Sequence, residues 1–323
     1  MSARAVIIDT DPGTDDAVAL FFALASPELD VRLVSVVGGN VGLERTLANA
    51  RAIVGLTGRA VPVVAGAERP LLGGFTAAAH VHGDDGLLGV ALPAGPPAAP
   101  GVAADAIRAV LRAAAPASVV LVGIGPATNL ALALATEPAL AARVAEVVLM
   151  TGAIGEGNVT PAAEFNAWSD PEALAIVLAC GRPVTLATLE TTAQALCTPA
   201  RRAALRASGG GSCLRAVCDI MDRVPPAARM GGLVHPEHDA CAVAWLVAPH
   251  LFTTRDVCAS VELAGASRGR TNIFQRRLPG PANARWLETL DADGFFALLG
   301  ERIAGPAGAG ARADACQPRL AGG

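Results

Sequence analysis

The chain has 323 residues, of which 52% are hydrophobic, so it can bury a large core as one α/β domain or as two smaller ones. Its formal net charge is −4 and its basic residues form no clusters, which argues against nucleic acid as a partner, because phosphate binding needs concentrated Lys and Arg. All 25 basic residues are Arg, which excludes chemistry that needs a lysine, such as Schiff-base formation or a Walker-type phosphate contact.

Neither the start of the chain nor its cysteines indicate export. The first predicted strand begins near Val6 with no charged region or long apolar run before it, so we expect a cytoplasmic protein. The seven cysteines show no CxxC spacing and are expected to be reduced. Every apolar stretch is interrupted by Pro, Gly or a charge before it reaches the length of a membrane span, so we expect no membrane partner.

Short β-branched runs alternate with Ala- and Leu-rich segments, which predicts an α/β fold with a mostly parallel central sheet flanked by helices. After the first strand, further strands are predicted at 31–37, 61–65, 118–122, 146–150 and 183–187, with antiparallel edge strands at 255–263 and 284–289. Two stretches are irregular, 66–101 and 208–236, and one or both are expected to be mobile near the site. We expect a single domain over 1–303 and a disordered tail over 304–323.

The most informative motif closes the first strand. Asp9, Asp11, Asp15 and Asp16 place four carboxylates within eight positions, around a Pro-Gly turn that leads into a predicted helix. Open α/β sheets bind ligands at the carboxyl ends of their strands, and clustered carboxylates repel one another unless a cation neutralises them. Oxygen ligands without a nearby Cys or His pattern favour Ca²⁺ or Mg²⁺ over Zn²⁺.

Helix capping is the alternative explanation of these acids. Thr14 as an N-cap, followed by Asp15 and Asp16 in the first turn, would stabilise the start of a helix. Capping accounts for two of the acids but gives no reason for Asp9 or Asp11. We therefore favour the cation site.

Polar residues also follow other predicted strands. Asn40 comes after two glycines at the end of the second strand, and Ile124 lies in a glycine-containing turn after the fourth. The glycines allow the backbone to approach a ligand, although both segments also fit ordinary turns. The loop after the fifth strand carries amides and a carboxylate suited to the hydroxyls of a polyol, namely Asn158, Glu164 and Asn166.

Two histidines lie in segments that are consistent with a site. His238 and Asp239 open an apolar helix, where the aspartate can stabilise the helix dipole or supply an oxygen to a metal. His82 lies in a loop with Gly83, and there an exposed histidine and a catalytic one are equally consistent with the sequence.

These blocks occur in an order that resembles the Ca²⁺-dependent inosine-uridine preferring nucleoside hydrolases. DTDPGTDD at 9–16 resembles the signature DxDPGxDD of that family, and GGN at 38–40, GPATN at 125–129, EFN at 164–166, DPEA at 170–173 and HDACAV at 238–243 resemble its further blocks. The resemblance covers nearly all of residues 4–300. It implies a Rossmann-like nucleoside hydrolase fold and a homodimer or homotetramer that acts in purine or pyrimidine salvage.

The resemblance implies a Ca²⁺ site and a ribose site. Ca²⁺ would be bound by the carboxylates of Asp11, Asp16 and Asp239 and by the backbone carbonyl of Ile124. The residues implied to bind the ribose hydroxyls are Asp15, Asn40, Asn158, Glu164, Asn166 and Asp239, with the backbone of Met150 nearby. Asp9 is expected to support the site without touching the ligand.

The implied reaction is hydrolysis of the N-glycosidic bond of a ribonucleoside to free base and ribose. Departure of the base builds positive charge on the ribose, and an acidic pocket stabilises this oxocarbenium-like transition state. Ca²⁺ would orient a water molecule whose proton passes to Asp11, and His238 would protonate the leaving base, with His82 as a second contributor. The chain has no Tyr, which family members often place before the His-Asp block. Arg223 and Arg229 are candidates for base contacts there, although a solvated surface charge is the favoured interpretation of each.

Two other functions share part of this pattern. A haloacid-dehalogenase-like phosphatase also binds a divalent cation with a strand-end DxD motif, but Pro12 stands where that family has Gly-Thr, and its usual Lys is missing. A non-catalytic nucleoside- or sugar-binding protein of the same fold is the other alternative, because a fold does not secure a function. The joint presence of Asp11, Asp16, His238 and Asp239 argues against it.

Overall fold

The computed structural model describes residues 3–226, 234–274 and 280–305. Its strands, in chain order from β1 to β11, are Arg4–Thr10, Leu29–Val36, Val63–Ala65, Val119–Gly123, Val144–Met150, Val184–Ala187, Leu196–Cys197, His235–Pro236, Phe252–Val261, Thr271–Phe274 and Ala284–Leu290. Its helices, from α1 to α12, are Thr14–Ala25, Leu43–Thr57, Ala79–His82, Ala103–Ala113, Thr128–Thr136, Phe165–Ser169, Pro171–Leu178, Leu189–Thr192, Pro199–Ala207, Ser212–Arg223, Ala240–Val247 and Ala292–Ala304.

Nine strands form one sheet in the order β10-β9-β11-β6-β5-β4-β1-β2-β3, and β7 pairs with β8 in a separate ribbon. The pairings from β6 through β3 are parallel, as is β11 with β6. Strand β9 is antiparallel to both β11 and β10. The prediction of a mostly parallel sheet with antiparallel additions is therefore confirmed.

Successive side chains of a strand point to opposite faces of the sheet. Helices pack on both faces here, and each face has its own buried apolar cluster. In β1, Val6 and Ile8 join one buried apolar cluster, whereas Ile7 joins the other. This burial on both faces explains why β1 is a continuous apolar run rather than an alternating one. No helix in the described part of the chain is long and apolar enough to cross a membrane.

Three predictions about the fold are wrong in detail. Strand β11 is not an edge strand, because it is inserted between β6 and β9; the edge belongs to β10, which the sequence analysis did not predict. The turn at Gly265 and Gly269 connects β9 to β10 instead of β11. The stretch 208–236 is not irregular throughout, because α10 occupies 212–223 within it. Helix α12 reaches Ala304, and the rest of the predicted tail, from 306, lies outside the described residues.

Candidate active site

The candidate site lies at the carboxyl ends of β1 and β4, two neighbouring strands whose next strands along the chain lie on opposite sides. From β1 the chain continues to β2 on one side, whereas β4 lies against β1 on the other. This is a topological switch point, where open α/β sheets form a crevice beyond the carboxyl ends of the strands. Asp11 follows β1 at this point and Ile124 follows β4.

Asp11 is fully buried and has one free oxygen. Its Oδ2 accepts a hydrogen bond from the backbone N–H of Asn40 at 2.7 Å, whereas Oδ1 has no hydrogen-bond partner among the described residues. A Cβ atom at Gly39 would overlap Oδ2, and one at Gly125 would overlap Oδ1. Two glycines from different strand ends therefore make the space that this carboxylate occupies.

Asp16 is held by four donors at the start of α1. Its Oδ1 accepts from the Thr10 hydroxyl at 2.6 Å and from the Asp11 N–H at 3.2 Å. Its Oδ2 accepts from the Gly13 N–H at 3.1 Å and from the Asn40 side-chain amide at 2.9 Å. The helix start is capped by Gly13 and Asp16, so the expected N-cap role of Thr14 is wrong.

Three acids converge beside the cavity. Carboxylate oxygens of Asp15, Asp16 and Asp239 lie within 4.8 Å of one another, a group that includes Asp15 and not the predicted Asp11. Burial and the charge of Asp15 raise the pKa of Asp16 to about 6 and that of Asp239 well above its usual value. Burial and the charge of Asp16 likewise raise the pKa of Asp11. An all-oxygen donor set whose ionised form is disfavoured fits a hard divalent cation.

Asp9 lies in β1, two residues before Asp11, and belongs to a separate hydrogen-bond network. Its Oδ1 accepts from the Ser35 hydroxyl at 2.6 Å and from the Asn129 side-chain amide at 2.9 Å, while Oδ2 has no partner in the part of the chain that the structure describes. Burial raises its pKa to about 7. Asn129 also donates to the Val36 carbonyl at 3.1 Å, so it ties β1 to β2 beneath the site.

The two histidines are held in different ways. The backbone N–H of Thr14 donates to Nδ1 of His82 at 3.1 Å, so the neutral ring carries its proton on Nε2. Nδ1 of His238 lies 2.6 Å from the Thr192 hydroxyl, which in turn can donate to the Leu189 carbonyl at 3.4 Å. Burial lowers the pKa of both rings. His82 is buried in α3, not exposed on a loop.

The opposite wall is built around Asn166. Its side-chain amide donates to the carbonyls of Ile124 and Met150, each at 3.1 Å, and so joins the ends of β4 and β5. Glu164 caps α6 and accepts from the N–H groups of Gly152, Asn166 and Ala167. Burial raises the pKa of Glu164 despite these bonds.

A cavity of about 530 Å³ opens above these groups. Asp11 and Asp16 do not line the cavity, but both are hydrogen-bonded to Asn40, which does. The other predicted site residues form its lining: Asp15, Asn40, His82, Ile124, Met150, Asn158, Glu164, Asn166, His238 and Asp239. Asn158 lies on an exposed part of the wall, where its carbonyl oxygen accepts from the Phe165 N–H at 2.9 Å. The structure thus brings the predicted residues to one cavity.

A family model described as inosine-uridine preferring nucleoside hydrolase matches residues 6–297. The chain belongs to this family. It is 40% identical over 308 residues to the pyrimidine-specific ribonucleoside hydrolase RihA of Salmonella agona, a match that covers 93% of this chain and 98% of the relative. It is 38% identical over 319 residues to the non-specific ribonucleoside hydrolase RihC of Salmonella newport, with 93% and 97% covered.

The solved structures agree with this assignment. A purine-preferring ribonucleoside hydrolase from Gardnerella vaginalis superimposes with a TM-score of 0.86 at 30% identity, and the match covers 93% of this chain and 98% of that one. The predicted family and fold are therefore confirmed. This nucleoside hydrolase is an enzyme that cleaves N-glycosidic bonds, and the phosphatase alternative is wrong.

Several cavity residues were missed by the sequence analysis. His235, Glu237 and Glu190 line the cavity, and Thr192 orients His238. Glu190 accepts hydrogen bonds from the N–H groups of Ile154 and Gly155, so it holds a loop. The only sequence signal for His235 and Glu237 is their position beside His238. Arg223, a candidate for base contacts, donates to the Leu88 carbonyl instead, and Arg229 lies outside the described residues.

Proposed function

We propose that this enzyme is a Ca²⁺-dependent ribonucleoside hydrolase in which Asp11, Asp16, Asp239 and the carbonyl of Ile124 hold the ion. The observation that carries the proposal is the free Oδ1 of Asp11, buried between two glycines beside other carboxylates whose pKa values are raised. When bound, Ca²⁺ would supply the charge that orients a water molecule and eases its deprotonation. Asp11 would accept that proton.

Ribose is held by the polar residues of the wall. Its hydroxyls form hydrogen bonds with the side chains of Asp15, Asn40, Asn158, Glu164, Asn166 and Asp239. The Met150 backbone lies beside them. Anchoring of Asn166 and Glu164 by backbone groups fixes these side chains before the ligand arrives, which reduces the cost of ordering them. The carboxylates then stabilise the positive charge that develops on the ribose as the base departs.

The two histidines have different roles toward the leaving base. His238 can carry protons on both nitrogens, because the Thr192 oxygen can accept from Nδ1–H, which leaves Nε2–H for the leaving base. It is the proton donor. His82 cannot be protonated on Nδ1 without losing the Thr14 N–H, so it contributes a hydrogen bond from Nε2–H and not a proton.

We infer that uridine and cytidine are among the substrates. The two curated relatives are described as pyrimidine-specific and as non-specific, and neither description excludes pyrimidine nucleosides. The chain is more similar to them than to the purine-preferring enzyme of known structure.

A substrate panel tests the proposal. The purified protein with Ca²⁺ and without phosphate should release free base and ribose from uridine and cytidine; inosine, adenosine, guanosine and nicotinamide riboside complete the panel. Cleavage that requires phosphate would identify a phosphorylase and contradict the proposal. Failure to cleave any nucleoside of the panel with Ca²⁺ present would contradict it as well.

We also propose that the enzyme acts in nucleobase salvage as a cytoplasmic homodimer or homotetramer. The support is the family relationship together with exposed apolar side chains at Leu72 and Phe75, which are 60% and 39% exposed. Light scattering of the purified protein should give the mass of two or four chains, and the mass of one chain would contradict the assembly.

A further inference from the structure

Three residues outside the proposed Ca²⁺ site bring a thiol, an imidazole and a carboxylate together. The ribbon of β7 and β8 pairs Cys197 with His235 in antiparallel register, and Glu237 follows β8. One ligand atom from each of the three side chains lies within 4.8 Å of the other two. All three residues are buried, and His235 and Glu237 also line the nucleoside cavity.

The ring of His235 is oriented as in a metal ligand. Its Nε2 lies 3.2 Å from the carbonyl of Met221, which can only accept, so Nε2 carries the proton. The other nitrogen, Nδ1, faces Glu237 Oε1 at 3.3 Å with its lone pair. Histidines that bind metals usually donate their second N–H to a carbonyl or carboxylate in this way.

The three side chains offer a cation three kinds of donor atom. Because Nε2 of His235 donates to the Met221 carbonyl, its Nδ1 presents a lone pair, beside the oxygens of Glu237 and the sulfur of Cys197. The guanidinium of Arg202 pairs with Asp222 at 3.3 Å, and it also donates to the Cys197 carbonyl at 3.3 Å and hydrogen-bonds the Cys197 side chain.

We propose that Cys197, His235 and Glu237 form a second metal site that binds Zn²⁺. Sulfur, nitrogen and oxygen from Cys, His and Glu are the donors that Zn²⁺ takes, whereas the acid cluster offers oxygen alone and suits Ca²⁺. Binding forms a sulfur–zinc bond and releases the thiol proton to solvent. Three protein ligands leave a fourth tetrahedral position, which opens to the cavity that His235 and Glu237 line.

Co²⁺ is a spectroscopic probe for this site, because thiolate ligation produces a charge-transfer absorption band that oxygen ligands do not. The full chain, stripped of metal and saturated with Ca²⁺, should bind one equivalent of Co²⁺ with this band, and Zn²⁺ should displace it. Cys197→Ala should abolish the band and weaken Zn²⁺ binding by roughly 100-fold or more, since even loss of an indirect partner of a metal ligand costs 10- to 100-fold. Cys218→Ala, at another buried cysteine on α10, should retain both.

Absence of a thiolate band in the wild-type protein would overturn the proposal. Equal Zn²⁺ affinity in the wild-type protein and in Cys197→Ala would also overturn it. If Cys197→Ala does not fold, Glu237→Gln provides the second test: it keeps the shape of the side chain, and it should weaken Zn²⁺ binding while the thiolate band persists at higher Co²⁺ concentration. Unchanged Zn²⁺ affinity in that variant would exclude Glu237 and the three-residue site with it.

Discussion

At the scale of single residues, hydrogen bonds to the ring nitrogens distinguish the two histidines, of which the resemblance made His238 the proton donor and His82 a second contributor. The Thr14 N–H fixes His82 with its proton on Nε2, whereas the Thr192 hydroxyl can accommodate a proton on Nδ1 of His238. Neither partner could be predicted from sequence, because each is brought to its histidine by tertiary structure. The residue types of the site, by contrast, were predictable from the strand-end motifs.

Removal of the Thr192 hydroxyl should impair proton donation by His238. Thr192→Val should lower kcat for a ribonucleoside by about 10-fold or more, because general acid catalysis contributes roughly 10²–10⁴-fold and the ring loses its orienting contact. Thr192→Ser should restore most of the rate. Cleavage of p-nitrophenyl riboside, whose leaving group needs no proton, should change little in either variant. An equal loss on both substrates would contradict a role in proton donation.

Asp11→Asn should separate catalysis from stability. We expect kcat to fall by roughly 10²–10⁴-fold, as for loss of a general base, and the rise in Tm on addition of Ca²⁺ to shrink. In chelator, the variant should unfold at the same Tm as the wild-type protein or higher, because a neutral amide removes the repulsion with Asp16. Asp30→Asn, at a half-exposed surface ion pair with Arg32, is the matched control and should behave as wild type.

At the scale of elements, the site depends on how closely the turns after β1, β2 and β4 approach one another. The strands themselves were predictable from their β-branched runs, and the helix starts from acids and prolines. The position of β11 between β6 and β9 was not predictable, because it depends on which strands pair across the molecule. Helix α10 was missed because the Gly-Gly-Gly before it and the Pro-Pro after it suggested a loop throughout.

A single methyl group between these turns should disturb the acid cluster. Gly39→Ala would place a Cβ against Asp11 Oδ2, so we expect loss of Ca²⁺-induced stabilisation and a fall in activity of about 10-fold or more, since small displacements of catalytic groups are costly. Gly42→Ala, three residues away, has no atom within 4 Å of its added Cβ. It should keep wild-type activity. Calorimetry and initial rates measure both effects, and equal behaviour of the two variants would refute the steric argument.

At the scale of the whole molecule, protons and the cation compete for the same carboxylates. In the metal-free fold the pKa of Asp16 is raised from 3.8 to about 6. Between these values the folded chain keeps a proton that the unfolded chain has lost, so the free energy of unfolding decreases as the pH rises through this range. A bound cation favours the ionised form and removes this penalty.

The difference in Tm between the Ca²⁺-loaded and the chelator-treated protein should therefore widen as the pH rises from about 4 to about 6. Scanning calorimetry in both conditions measures it. A difference that stays constant over this range, or that narrows, would show that the ion does not bind the buried acids.

The central claim is that cleavage depends on a cation held by Asp11 and its neighbours. The most direct measurement is the initial rate of ribose release, from the best substrate of the panel, by metal-stripped protein as Ca²⁺ is added. We predict no release in chelator, full recovery with Ca²⁺ in the wild-type protein, and no recovery in Asp11→Asn. Wild-type rates in chelator, or full recovery in Asp11→Asn, would contradict the account.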